Sequence, residues 1–401
     1  MNGHAPSVRD EAPTASLIFA LPYMALMAAS VLYPYFRIVS LPWFTMHACY
    51  VVIIGMAFLW VFVTGNLHRV KRALAFIALF AGLYLFLLLQ SLTVWITEQD
   101  GINLIRRGAA TIAYQVLGIM TVASAYVLFG HKSLIYTFWG MVLGNLMLLA
   151  SAMLRMGVGE FISELLAFYL SLGADDNAAS RAMEVHDLTF AFGEFVIYFW
   201  LFDRKRPGRL WYLLIACAFF LLGWKRIAIP GILIAGLYVW MAGRRPAQKA
   251  MRFTGKIGVG LVALSFAYLL VIRSGLYAQI CNALGIDTMG RIELLRFIEQ
   301  YYEINPLFGG YGIGFITRMM QDFIESGRAV LNAAMSIHND ILARYIELGF
   351  FGFVVWALYY FWGTARYIGR YWSREAATLF FACLLYCFMT YLTDNTVGYY
   401  H

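Results

Sequence analysis

The sequence predicts an all-α membrane protein, a polytopic bundle of about 11 or 12 transmembrane helices with a long, partly helical loop on the outer face. Three observations carry that prediction. Of 401 residues, 62% are hydrophobic and only 13% are Asp, Glu, Lys or Arg, more apolar surface than a soluble fold can hide. Apolar runs near the roughly 20 residues a crossing helix needs begin near Ala15, Trp43, Ala73, Ala109, Ser133, Leu188, Leu210, Ile227, Ile257, Phe350 and Ala377. Basic residues cluster in every second loop, as they do in loops retained in the cytoplasm.

Taken in order, the run from Ala15 is too long for a cleaved signal peptide and further apolar segments follow it at once, so it reads as a first span. The basic clusters are HRVKR at 68–72, HK at 131–132, DRKRPGR at 203–209, GRRPAQKAMRFTGK at 243–256 and ARYIGRYWSR at 365–374. Placing these in the cytoplasm also puts the amino terminus there and ends the last span outside. Membrane orientation thus accounts for the formal charge of +8 without nucleic acid as a partner. Cys49, Cys217, Cys281, Cys383 and Cys387 lie mostly in apolar segments with no CxxC spacing, which suggests neither a disulfide frame nor a zinc site. Residues 1–401 read as a single integral-membrane domain.

Two outer loops interrupt the pattern. In the smaller, 156–187, FISELLAFYLSLG is too short to cross and apolar enough to lie along the interface. The larger, 273–347, contains RIELLRFIEQYYE, where Leu295, Ile298 and Tyr302 recur at helical spacing while Arg296, Glu299 and Glu303 face another way. That helix is expected to stop at Asn305-Pro306, because a residue before proline disfavours helical geometry. PLFGGYGIGF follows, with glycines at 309, 310, 312 and 314. Gly310 and Gly312 suit tight turns or close approach of backbone to a ligand. There is no G-x-x-x-x-G-K-[ST] run, so this is not a nucleotide-binding phosphate loop.

Charges at the outer side supply the candidate site. Lys225 and Arg226, in GWKRIAIPG, lie between two apolar segments where the inside rule does not explain them. They either snorkel to headgroups or line a polar cavity. Arg106 and Arg107 at the fourth span, and Arg291 and Arg296 in the loop helix, add basic points on the same side. Guanidinium groups that converge would suit a diphosphate, since each stays ionised and offers paired donors. In SIHNDILARYIELGFFGF, His338 can accept a proton as a general base or simply cap or pack a helix. Asn339 can orient a hydroxyl or hold the preceding loop. Asp340 is a candidate partner of the His338 ring, although residues two apart on a helix do not face each other.

The segments GRIELLRFIEQYYEINPLFGGYGIGF, 290–315, and SIHNDILARYIELGFFGF, 336–353, resemble the O-antigen ligase and polymerase superfamily of bacterial polytopic membrane glycosyltransferases. The matching positions are Arg291, Pro306, Leu307, Gly310, Gly312, His338, Asn339, Glu347, Gly349 and Gly352; LLGWKRIAIPGILIAGL adds Arg226. GWKR replaces the serine- or glycine-rich residues that often precede that arginine, and the helix after Arg291 has no tryptophan. The resemblance implies a bacterial inner-membrane enzyme, its active site facing the periplasm, that transfers glycan from an undecaprenyl diphosphate carrier. Polymerases extend a glycan on another carrier-linked repeat unit, and ligases place it on lipid A core. The resemblance implies His338, Arg226 and Arg291 as catalytic residues; Lys225, Arg106, Arg107, Arg296, Asn339, Asp340, Gly310 and Gly312 are the candidate diphosphate- or substrate-binding residues. It implies neither metal nor other cofactor, membrane lipids around the chain, and room for a chain-length regulator as partner. Polymerisation is the expected activity, ligation the alternative, and lipid-linked glycan transport the second alternative.

Overall fold

The structure, a computed structural model, describes residues 15, 17–36, 46–97, 101–171, 179, 186–285, 291–325, 337–394 and 396. The expectations for the amino terminus and for the centres of both outer loops fall partly outside these residues. Among the described residues the chain is all-helical. Its helices are α1 Leu17–Phe36, α2 Met46–Thr64, α3 Val70–Trp95, α4 Gly101–Phe129, α5 Ser133–Met156 and α6 Val158–Leu170. Then come α7 His186–Ile197, α8 Arg209–Leu222, α9 Ala228–Gly243, α10 Ala247–Arg273, α11 Leu276–Ala283 and α12 Arg291–Ile298. The last are α13 Phe315–Glu325, α14 Asp340–Leu358, α15 Thr364–Tyr371 and α16 Arg374–Tyr391.

A helix covers each apolar run. Five helical stretches are long and apolar enough to cross a membrane, and α1, α7, α8 and α9 supply shorter apolar helices, as in a multi-pass membrane protein. The chain divides into two units, one from the described residues of 1–82 and 114–188, the other from those of 83–113 and 189–400. Helices α3 and α4 contribute to both.

In the first unit α1 packs on α5 through small residues. A Cβ added at Gly140 would lie 2.7 Å from the Met27 Cβ, and one at Gly144 3.0 Å from Val31. Small side chains let helices approach closely where lipid offers no hydrophobic drive between them. The Tyr23 hydroxyl and Thr137 Oγ1 lie 2.6 Å apart across the same seam. Helix α6 buries Phe161 and Phe168 and exposes Ile162, Leu166 and Leu170, the two-sided character of a helix lying along an interface.

The second unit carries the residues of interest. Helices α9 and α16 pack where Gly231 meets Tyr386, whose hydroxyl donates to the Phe190 carbonyl at 2.9 Å. At one end of this pair Arg374 donates to the carbonyls of Ala242 and Arg245, both at 3.0 Å, joining two basic loops. At the other end lie Lys225 before α9 and Asp394 after α16.

Helix α14 breaks at Gly349, where φ is 67° and ψ is −175°. The glycine turn fills the break. Tyr311 N–H donates to the Ile346 carbonyl at 3.1 Å, Gly312 N–H to the Glu347 carbonyl at 2.8 Å, and Phe350 N–H to the Phe308 carbonyl at 2.8 Å. Gln90 Nε2 donates to the Leu348 carbonyl at 2.9 Å. Non-helical backbone at membrane depth is tolerated only when its polar groups are satisfied in this way. Residues 340–348 thus form a buried helical lead-in, and the apolar run expected from Phe350 begins after the break.

Candidate active site

Three turns meet at the Lys225 end of the second unit. His338 Nδ1 is 3.5 Å from Asp394 Oδ1, and Lys225 Nζ is 3.9 Å from Asp394 Oδ2. The Asp394 side chain is 8% exposed and that of His338 35%, so a nearly buried carboxylate backs a partly open ring. Lys225 also lies over the Phe190 ring, 5.8 Å from its centroid.

The backbone holding these groups is strained. His338 and Trp224, next to Lys225, both have φ of 46°, the left-handed region that non-glycine residues rarely adopt. Each such residue costs about 1–3 kcal/mol and persists only where its surroundings over-determine it. For His338 the surroundings are explicit. Asn339 is the N-cap of α14 and accepts from Leu342 N–H at 2.9 Å. Its amide donates to the Tyr268 hydroxyl at 2.8 Å, which in turn donates to the Leu392 carbonyl at 2.5 Å. Asp340 N–H donates to the Asp394 carbonyl at 3.2 Å. The turn before α14 is thereby tied to the turn after α16, and the tie brings Asp394 beside the imidazole.

Asp394 rather than Asp340 is therefore the partner of His338. Asp340 opens α14, is buried, and acts electrostatically on Arg344 and Tyr391. Asp394 Oδ1 faces the Nδ1 side of the ring, and Nδ1 makes no hydrogen bond among the described residues.

The other predicted residues spread more widely. Arg226 is exposed, adjoins Lys225, and makes no ion pair among the described residues. Arg291 is half-buried at the start of α12 and acts electrostatically on Tyr268 and Tyr277, the first of which holds Asn339. Arg106 and Arg107 are exposed on α4, where Arg107 bonds Gln321 of α13. Arg296 is exposed on α12 and lines a separate cavity with Glu299.

Gly310 and Gly312 face protein rather than open space. A Cβ on Gly310 would meet the Gly349 nitrogen at 2.3 Å, and one on Gly312 the Trp95 indole nitrogen at 2.3 Å. Their φ values of 78° and 82° also require glycine. The close approach expected of this turn is thus backbone against backbone and against indole. The α12 helix ends in a turn at Tyr301, before Asn305-Pro306, because Tyr302 is extended and buried beneath Arg273.

A second polar pair supports the turn. Arg344 and Glu347 are buried and 3.0 Å apart, and Glu347 Oε1 accepts from Gly314 N–H at 2.8 Å. Among the described residues no group of three or more His, Cys, Asp or Glu side chains is placed to hold a metal ion. No protein-family model and no curated protein matches this chain.

Proposed function

We propose that this chain polymerises undecaprenyl-diphosphate-linked oligosaccharide repeat units at the periplasmic face of a bacterial inner membrane. The observation that carries the reading is His338 in a strained backbone, backed by Asp394 and beside Lys225. His338 Nε2 takes the proton from a hydroxyl of the acceptor repeat unit. The acceptor oxygen then bonds to the anomeric carbon of the donor glycan, and the bond from that carbon to the phosphate oxygen breaks. Undecaprenyl diphosphate departs with the electron pair. Lys225, which shares Asp394 with the ring, and Arg226 and Arg291 stabilise the growing negative charge. Asp394 stabilises the imidazolium. Basic side chains thereby do the work asked of the diphosphate end of the site, and a planar guanidinium offers the better fit to phosphoryl oxygens.

Purified protein in lipid bilayers, supplied with carrier-linked repeat units, tests the reading. It predicts lengthened glycans on the carrier and equimolar release of undecaprenyl diphosphate. Transfer only when lipid A core is added would make the protein a ligase. Movement of carrier across the bilayer with no new glycosidic bond would make it a transporter.

A further inference from the structure

Helices α11 and α12 enclose a cavity of about 300 Å³ whose lining includes Tyr277, Gln279, Asn282, Arg296, Glu299 and Tyr302. The volume lies at the lower end of the range for small-ligand pockets. Arg273 bridges to Glu299 at 3.0 Å, donates to the Glu299 carbonyl at 2.8 Å, and lies over the Tyr302 ring at 5.5 Å. Tyr302 is 2% exposed and its hydroxyl oxygen is fully buried, so it offers the cavity its ring rather than its hydroxyl. Burial pushes the Tyr302 phenol up to about 12, so it stays neutral at any physiological pH.

The chemistry of the lining selects a ligand class. Two primary amides, the Tyr277 phenol, one guanidinium and one carboxylate give both donors and acceptors. A diphosphate would call for several cations facing it, whereas Arg296 is the single cation among the lining residues. A sugar carries hydroxyls that each donate and accept, and a face of C–H groups that packs on an aromatic ring. Tyr277 in its wall acts electrostatically on Tyr268, whose hydroxyl accepts from the Asn339 amide.

We infer that this cavity is a carbohydrate subsite that seats one sugar residue of the glycan. The inference rests on the glycan-transfer reading. It also moves Arg296 from the diphosphate to the sugar.

Saturation-transfer NMR on the full chain in lipid nanodiscs tests it with free galactose, mannose, N-acetylglucosamine and glucuronate as probes. At least one is expected to bind saturably. Gln279 and Asn282 are exposed, so Gln279→Ala/Asn282→Ala leaves folding intact and is expected to weaken that binding about tenfold. His338→Ala is expected to leave it unchanged. Absence of saturable binding by every probe, or equal binding by the double variant, would overturn the subsite. So would displacement of the sugar by inorganic pyrophosphate. Carrier-linked glycan lengthening is measured on the same preparation. Lengthening without sugar binding would sink the subsite alone, whereas sugar binding without lengthening would sink the transfer reading alone.

Discussion

At Asp394 a single carboxylate touches both the imidazole of His338 and the ammonium of Lys225. Asp394→Asn keeps the shape and removes the charge that steadies the imidazolium. Turnover per folded molecule is expected to fall at least about tenfold, within what a positioned base supplies, while the melting temperature stays near that of the unaltered protein. Loss of folded yield with unchanged turnover would make Asp394 a structural residue only. Arg226→Lys and Arg291→Lys keep the charge but lose the planar fork, so transfer is expected to drop although the protein still inserts. Unchanged transfer in both variants would remove their role toward the diphosphate. His338, Asn339, Lys225 and Arg226 were legible in the sequence because charge and imidazole stand out in apolar surroundings. Asp394 was not, since it lies more than 50 residues beyond His338 and only the fold brings the two together. The available signal was a lone carboxylate just past the last apolar run. Tyr268 was hidden for a different reason: a tyrosine inside a span reads as core.

At the scale of elements, the glycine turn and the break in α14 act as one unit. Gly310→Ala and Gly349→Ala each place a Cβ 2.3 Å from backbone at a positive φ. The left-handed penalty of about 1–2 kcal/mol and overpacking of about 1–3 kcal/mol add in each, so low folded yield and early melting are expected. Gly309→Ala is the control, because no atom lies within 4 Å of its added Cβ and normal melting is expected. Glu347→Gln leaves the buried Arg344 without its carboxylate, a loss of about 3–5 kcal/mol. Equal melting of Gly310→Ala and Gly309→Ala in detergent would refute this role for the turn. The glycine run announced close backbone approach, yet its partner could not be read, because nothing in the sequence pairs it with Gly349, at the entry to the run expected from Phe350. The early end of α12 was equally hidden: proline marks where a helix must stop, while Tyr302 under Arg273 ends it sooner through tertiary contact.

At the scale of the whole molecule, the alternation of basic loops was the most legible feature. In the second unit the loops it assigns to one side do meet: Arg374 bonds the backbone of Ala242 and Arg245, while Lys225, His338 and Asp394 gather at the opposite ends of α9 and α16. The positive-inside rule predicts that the His338 end lies outside the cytoplasm. With the native cysteines replaced, a membrane-impermeant maleimide is expected to label His338→Cys in intact spheroplasts and to miss a cysteine within 203–209; the reverse would invert the orientation. The central claim is that His338 is the base of a glycan transferase, and the rate of carrier-linked glycan transfer by purified His338→Ala tests it most directly. The account predicts a fall of roughly 100- to 10,000-fold per folded molecule with insertion and donor binding retained. Near-normal turnover per folded molecule in that variant would contradict it.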